Sequence, residues 1–206
     1  MTVERLTPER RRTLTREALL DAASEAFARR GYDGGTLEEI AAAAGFTTGA
    51  IYSNFGGKQD LFLAVLDERN ARFTERYNAQ VTEQPRHFLE ELGDIATLWS
   101  EIELANDDAL RLTLEYQLAA LRDPKMRKKV ANYERRTELA ISEFVRARLD
   151  ESAALVDLSI PVEDFAVIVR ATTQGIRQHL AVCRSDHSNL FENFLALLSR
   201  CLKPLA

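Results

Sequence analysis

The chain has 206 residues and a formal net charge of −5, with 46% hydrophobic and 29% charged residues. That is enough apolar material for a substantial core, as one large domain or a small one joined to a larger one, and neither Pro nor Gly is abundant enough to indicate disorder. No run of 18 apolar residues occurs, and residues 1–17 lack an apolar stretch followed by a small-residue cleavage site, so neither a membrane span nor a secretory leader is expected and a cytoplasmic address is.

Charge is unevenly placed. Residues 1–58 hold eight Arg or Lys and eight Asp or Glu, so residues 59–206 carry the whole −5 (27 less 8 basic against 32 less 8 acidic). Arg5, Arg10, Arg11, Arg12 and Arg16 face only Glu4 and Glu9, so a polyanion would be met by the N-terminal end. The run Arg10-Arg11-Arg12 also suits a solvated helix end. Cys183 and Cys201 fit free thiols in a reducing compartment.

Almost every segment has helical period and none has convincing strand alternation. Thr7-Pro8-Glu9 starts the first helix, with a hydroxyl cap, proline at the first helical position and an acid near the positive end. Leu19, Ala22, Ala23, Ala26 and Phe27 form its apolar stripe, which stops before Gly31. In "TLEEIAAAAG", Thr36 and Glu39 suit a capping box, Leu37, Ile40, Ala41 and Ala44 share a face, and Gly45 ends the helix. Thr47 can cap a third, short helix, and Gly56-Gly57 breaks the chain before a long helix from Lys58, with Leu61, Phe62, Val65 and Leu66 inward. Further helices are expected at about 85–105, 108–121, 124–149, 161–183 and 188–202, about nine in total, from Pro and Asp start signals.

A capped helix, a glycine-containing turn and a second short helix make a helix-turn-helix, whose second helix enters the major groove. At 100° per residue, Ile51 and Phe55 lie on the inner face with Phe46 beside them, and Gly49 and Ser53 point the opposite way. Small residues there let the backbone approach base edges. Thr48, Tyr52, Ser53 and Asn54 add hydroxyl and amide groups, and Thr36 and Lys58 stand at helix starts that favour phosphate.

The run "TLEEIAAAAGFTTGAIYSNFGGKQDLFLAVL", preceded by "ALLDAASEAFARRGYDGG", closely resembles the DNA-binding domain of the TetR family of bacterial transcriptional regulators, over residues 14–66 or so. The resemblance implies an all-α, two-domain homodimer. Residues 1–58 would bind DNA, and residues 59–206 would dimerise and bind a ligand. It also implies a repressor released from a palindromic operator by a small-molecule inducer. Carried over by position, Thr36, Thr47, Tyr52 and Lys58 correspond to phosphate contacts. Thr48, Gly49, Ala50 and Asn54 correspond to positions that approach bases, and Ser53 can touch either. The short helix departs from the common pattern of bidentate base readers by having no Arg, Lys or Gln. Sequence preference then falls to thymine methyl packing, Asn54, water and DNA shape.

In the larger part, Trp99, Glu103, Tyr116, Gln117 and Tyr133 mix aromatic surface with polar tips, which fits either a helical pocket or the edge of a core. Gln174 and His179 are further polar points, for a pocket or for an interhelical hydrogen bond. The last two helices carry Phe165, Ile168, Val169, Thr172, Ile176 and Leu180, then Leu190, Phe191, Phe194 and Leu198. Stripes that rich suit a face for a second copy of the chain or an ordinary core. Gly175, mid-helix, suits close helix approach. His179, Cys183 and His187 recur every four residues, but "RSDHS" breaks the helix before His187, so packing and not metal binding is expected. No phosphate-cradling Gly loop, nucleophile elbow or His-Glu-x-x-His helix occurs, so neither an enzyme nor a cofactor is expected.

Overall fold

The structure is a computed structural model that describes residues 7–80, 107–151, 156–183, 189–200 and 202–204. The fold is all-α. Four helices open the chain: α1 (Pro8–Gly34), α2 (Leu37–Ala43), α3 (Thr48–Phe55) and α4 (Lys58–Gln80). They are followed by α5 (Asp107–Arg122), α6 (Pro124–Glu151), α7 (Val162–Cys183) and α8 (Leu190–Ser199). The helix expected at 85–105 lies outside the described residues, as do Trp99, Glu103 and His187.

Local chemistry sets the ends of the first helices. The Thr7 hydroxyl accepts from Arg10 N at 3.2 Å, and Pro8 follows it. Helix α1 breaks at Gly31, whose φ of 72° lies in the left-handed region that favours glycine. The Thr36 hydroxyl accepts from Glu39 N at 3.2 Å, which is half of a capping box. The Glu39 carboxylate accepts instead from Arg30 Nη1 at 2.6 Å and so ties α2 back to α1.

The chain divides into two compact units, residues 1–72 with 111–130 and residues 73–110 with 131–206. In the first, Leu19, Ala23 and Phe27 of α1, Ile40 of α2, Ile51 of α3 and Leu61 and Phe62 of α4 form a buried core. Phe27, Tyr32, Phe62 and Tyr116 form a chain of ring contacts with centroids 4.9–6.4 Å apart. Polar links tie the later helices of this unit to the earlier ones. The Glu115 carboxylate accepts from Tyr32 N, Arg111 donates to the Ala28 carbonyl, and Lys129 pairs with Asp60 at 2.6 Å. As a packing unit, then, this half extends well past the three helices that carry the helix-turn-helix.

In the second unit, Phe165 of α7 and Phe191, Phe194 and Leu198 of α8 form one buried cluster with Val145 of α6. These four side chains, candidates for a subunit face on their spacing, are core of their own chain. Val169 and Ile176 are partly buried against the same cluster. The last helix also ends earlier than expected. Residues Leu202–Pro204 form a strand paired antiparallel with Val156–Leu158, Leu202 opposite Leu158. Strands of three residues are too short for alternation to show in a sequence, and Pro204 does not extend a helix.

Candidate nucleic-acid interface

Helix α3 has eight residues and would not hold in isolation. Its inner side fixes it: Ile51 is fully buried, and Phe55 is half-buried. Gly56 ends it in the left-handed region at φ 87°, and its N–H donates to the Tyr52 carbonyl. On the outer side Gly49, Tyr52 and Ser53 are exposed, and Thr48, Ala50 and Asn54 are half-buried. Phe46 differs from expectation: it is 38% exposed, and its N–H donates to the Ala41 carbonyl at 2.8 Å and closes the turn.

Gly49 has no role in the packing of the chain itself. A Cβ built there would meet Thr47 Oγ1 at 3.5 Å, an ordinary van der Waals contact, and its φ is not in the left-handed region. Glycine in a helix is less favourable than alanine by about 1 kcal/mol. Folding therefore gains nothing from its presence.

The polar groups of this face are partly turned back on their own helix. Ser53 Oγ and Asn54 Nδ2 both donate to the Ala50 carbonyl, at 3.0 and 2.8 Å. This leaves the Asn54 amide oxygen as that side chain's acceptor. Thr47 stands at the N-cap of α3 with no side-chain cap bond, and the Thr36 hydroxyl keeps its proton to donate outward. Lys58 is more constrained. Its ammonium donates to the Asp33 carbonyl at 3.1 Å and lies 4.9 Å from the Tyr32 ring centroid. Burial lowers its pKa, while Asp33 and Glu38 act the other way. Burial, reinforced by the nearby carboxylates of Asp33, Asp123 and Asp60, raises the pKa of Tyr32.

The polar candidates of the larger part fall in different places. Tyr116 is buried in the aromatic core of the first unit, where Gln117 is half-buried. Tyr133 is buried and Gln174 half-buried in the second unit, and His179 is exposed with its Nδ1 3.6 Å from Cys183 Sγ. Two residues take places that the sequence alone does not assign to them. Arg177 is buried and engaged on α7, although periodicity gives no reason for a charge there to point inward. Arg16 lies with its guanidinium carbon 4.6 Å from the Phe55 ring centroid. Its signal was available, since it shares a helix face with Leu19, Leu20 and Ala23.

A short helix clamped on one side and open on the other, after a capped helix and a glycine turn, defines a helix-turn-helix DNA-binding regulator. The family of bacterial regulatory proteins, tetR family, matches residues 19–65. The HTH-type transcriptional repressor AcnR of Corynebacterium efficiens is 29% identical over 170 residues, 81% of this chain and 82% of that protein. The HTH-type transcriptional repressor BepR of Brucella suis is 48% identical over 61 residues, 30% of this chain and 28% of its own length. Among solved structures, a putative TetR-family regulator from Rhodococcus sp. superposes with a TM-score of 0.74 at 18% identity, covering 93% of this chain and all of that one. FadR from Bacillus subtilis, in complex with stearoyl-CoA, superposes with a TM-score of 0.66 at 19% identity, covering 88% of this chain and 96% of its own. Residues 19–65 match the TetR-family DNA-binding domain, and these similarities together support a DNA-binding transcriptional regulator of that kind.

Proposed function

We propose that the protein is a homodimeric, cytoplasmic repressor that occupies a palindromic operator until a small-molecule inducer releases it. The observation that carries this reading is the anchored back and bare front of α3, with Ile51 buried and Gly49, Tyr52 and Ser53 exposed. Residues 1–58 make the DNA contacts. Thr36, Thr47, Tyr52 and Lys58 meet phosphates, and Thr48, Gly49, Ala50, Ser53 and Asn54 lie against the bases. The Asn54 amide oxygen accepts from an exocyclic amine. Residues 59–206 dimerise and take the inducer. The AcnR and BepR relatives, named as repressors, support the direction of regulation. The FadR neighbour with stearoyl-CoA supports a small molecule as the signal.

The subunit face is proposed on the outer stripe of α7: Asp164, Ile168, Ala171, Gly175, Gln178 and Val182, all exposed and spaced alternately four and three residues apart. A Cβ at Gly175 would meet nothing within 4 Å, so the chain's own packing gives no reason for glycine there. Two-fold symmetry sets the reading helices about 34–36 Å apart or somewhat farther, facing successive major grooves. The inducer acts by binding more tightly to the state whose separation does not fit DNA, because equal affinity for both states would shift nothing.

Selection of duplexes from a random pool, followed by mobility shift against random-sequence competitor at several salt concentrations, tests the reading. A sequence-selective, two-fold-symmetric site is expected. Tyr52→Ala weakens selected and random duplexes alike, whereas Asn54→Ala relaxes preference at one position by about 1–3 kcal/mol. Absence of any sequence-selective complex overturns the proposal.

A further inference from the structure

Leu19, Leu20, Ala23 and Phe27 of α1 are buried on its inward stripe. In the same helical register the stripe continues toward the N-terminus through Arg16 and Arg12, roughly one and two turns before Leu20. The apolar core ends there and the stripe becomes cationic. Arg16 is exposed, yet it is held in place: its guanidinium carbon lies 4.6 Å from the centroid of Phe55, the last residue of α3. Among the described residues no carboxylate pairs with it. A guanidinium drawn over a ring face by cation–π attraction has less side-chain freedom left to lose when an anion arrives. Helix α3 has no Arg or Lys of its own, so Arg16 is a cation delivered to the reading helix from α1.

We propose that Arg16 contacts DNA, its guanidinium gripping a backbone phosphate that borders the C-terminal end of α3, with Phe55 as the positioning residue beneath it. This rests on α3 being the reading helix. The contact is independent of sequence, because a phosphate carries none. It supplies part of the positive charge that a chain of net charge −5 needs at its DNA face.

The test uses the full chain with two probes, the duplex it selects from a random pool and a random-sequence duplex, titrated across a range of KCl concentrations. Arg16→Gln is expected to weaken both complexes by the same factor and to flatten the slope of log K against log salt by about 1 per bound subunit, leaving sequence preference intact. Arg16→Lys keeps the wild-type slope with intermediate affinity, because an ammonium holds the charge but lacks the planar fork. Should Arg16→Gln also lower the melting temperature, Arg16→Lys decides: a slope that falls with stability makes the stack purely structural and overturns the proposal. Wild-type affinity and slope in Arg16→Gln overturn it as well, while selective binding by the unmutated chain leaves α3 as the reader. If the unmutated chain shows no selective complex, the reading of α3 fails along with it.

Discussion

Helix α3 fully buries one side chain, Ile51, and leaves Gly49, Tyr52 and Ser53 in solvent, whereas α8 buries Phe191, Phe194 and Leu198 against Val145 and Phe165. Both are short and amphipathic, and in both the period marks which side chains leave water. The difference lies in what the remaining face is made of. The open face of α3 combines a glycine the fold does not need with hydroxyl and amide groups, a composition that suits a polar partner at close range. Helix α8 exposes Leu197 at 59%, but its bulky aromatics are committed to its own chain. An apolar stripe shows where water is excluded, and the bare polar face next to a buried anchor is where we propose that DNA arrives.

That contrast can be broken or sharpened by substitution. The largest effect is expected from Phe191→Ala, which removes a buried ring from the second core and should lower unfolding free energy by about 3–5 kcal/mol in denaturant titration. Ile168→Asp, on the exposed stripe of α7, should leave that value nearly unchanged and instead raise the dimer dissociation constant in sedimentation. The reverse pattern would place the subunit face on α8. Ile51→Ala should lower stability by about 2–5 kcal/mol and abolish selective DNA binding, because the clamp beneath α3 is lost.

Gly31→Ala comes next. At φ 72° an L side chain is strained by about 1–2 kcal/mol, and its Cβ would also run into the Glu115 carboxylate. Glu115→Ala in the same chain should relieve the second part and leave the first, a difference read by a double-mutant cycle. The smallest effect belongs to Thr36→Ala, about 1 kcal/mol for the lost cap on Glu39 N, visible as a reduced melting temperature.

The beginnings of α1 to α4 and the ends of α1 to α3 were legible in the sequence because short-range chemistry fixes them: the hydroxyls of Thr7 and Thr36, the break at Gly31 and the left-handed Gly56. The exposed front of α3 was legible for the same reason, since rotation per residue is a local property. What depends on distant neighbours was not. The Glu39 carboxylate turns to Arg30, nine residues away in the chain, instead of closing its own capping box. Phe46 stays at the surface although its neighbours suggested burial. Phe165, Phe191, Phe194 and Leu198 show the same limit on a larger scale, because period cannot tell a core from a subunit face. The strand pair Val156–Leu158 and Leu202–Pro204 joins segments far apart in the chain and too short to carry a pattern. Arg16 shares a helix face with Leu19, Leu20 and Ala23, which is legible from spacing, but its partner Phe55 lies far along the chain and is not.

The central claim is that the open side of α3 is shaped for a body outside the protein, and Gly49 tests it most directly. A Cβ at this position meets only ordinary contact within the chain, so Gly49→Leu should melt no lower than the unmutated protein and could gain as much as about 1 kcal/mol from helix propensity. The same variant should lose its complex with the duplex selected from a random pool, measured by fluorescence anisotropy. A Gly49→Leu protein that folds normally and binds that duplex with undiminished affinity would contradict the account.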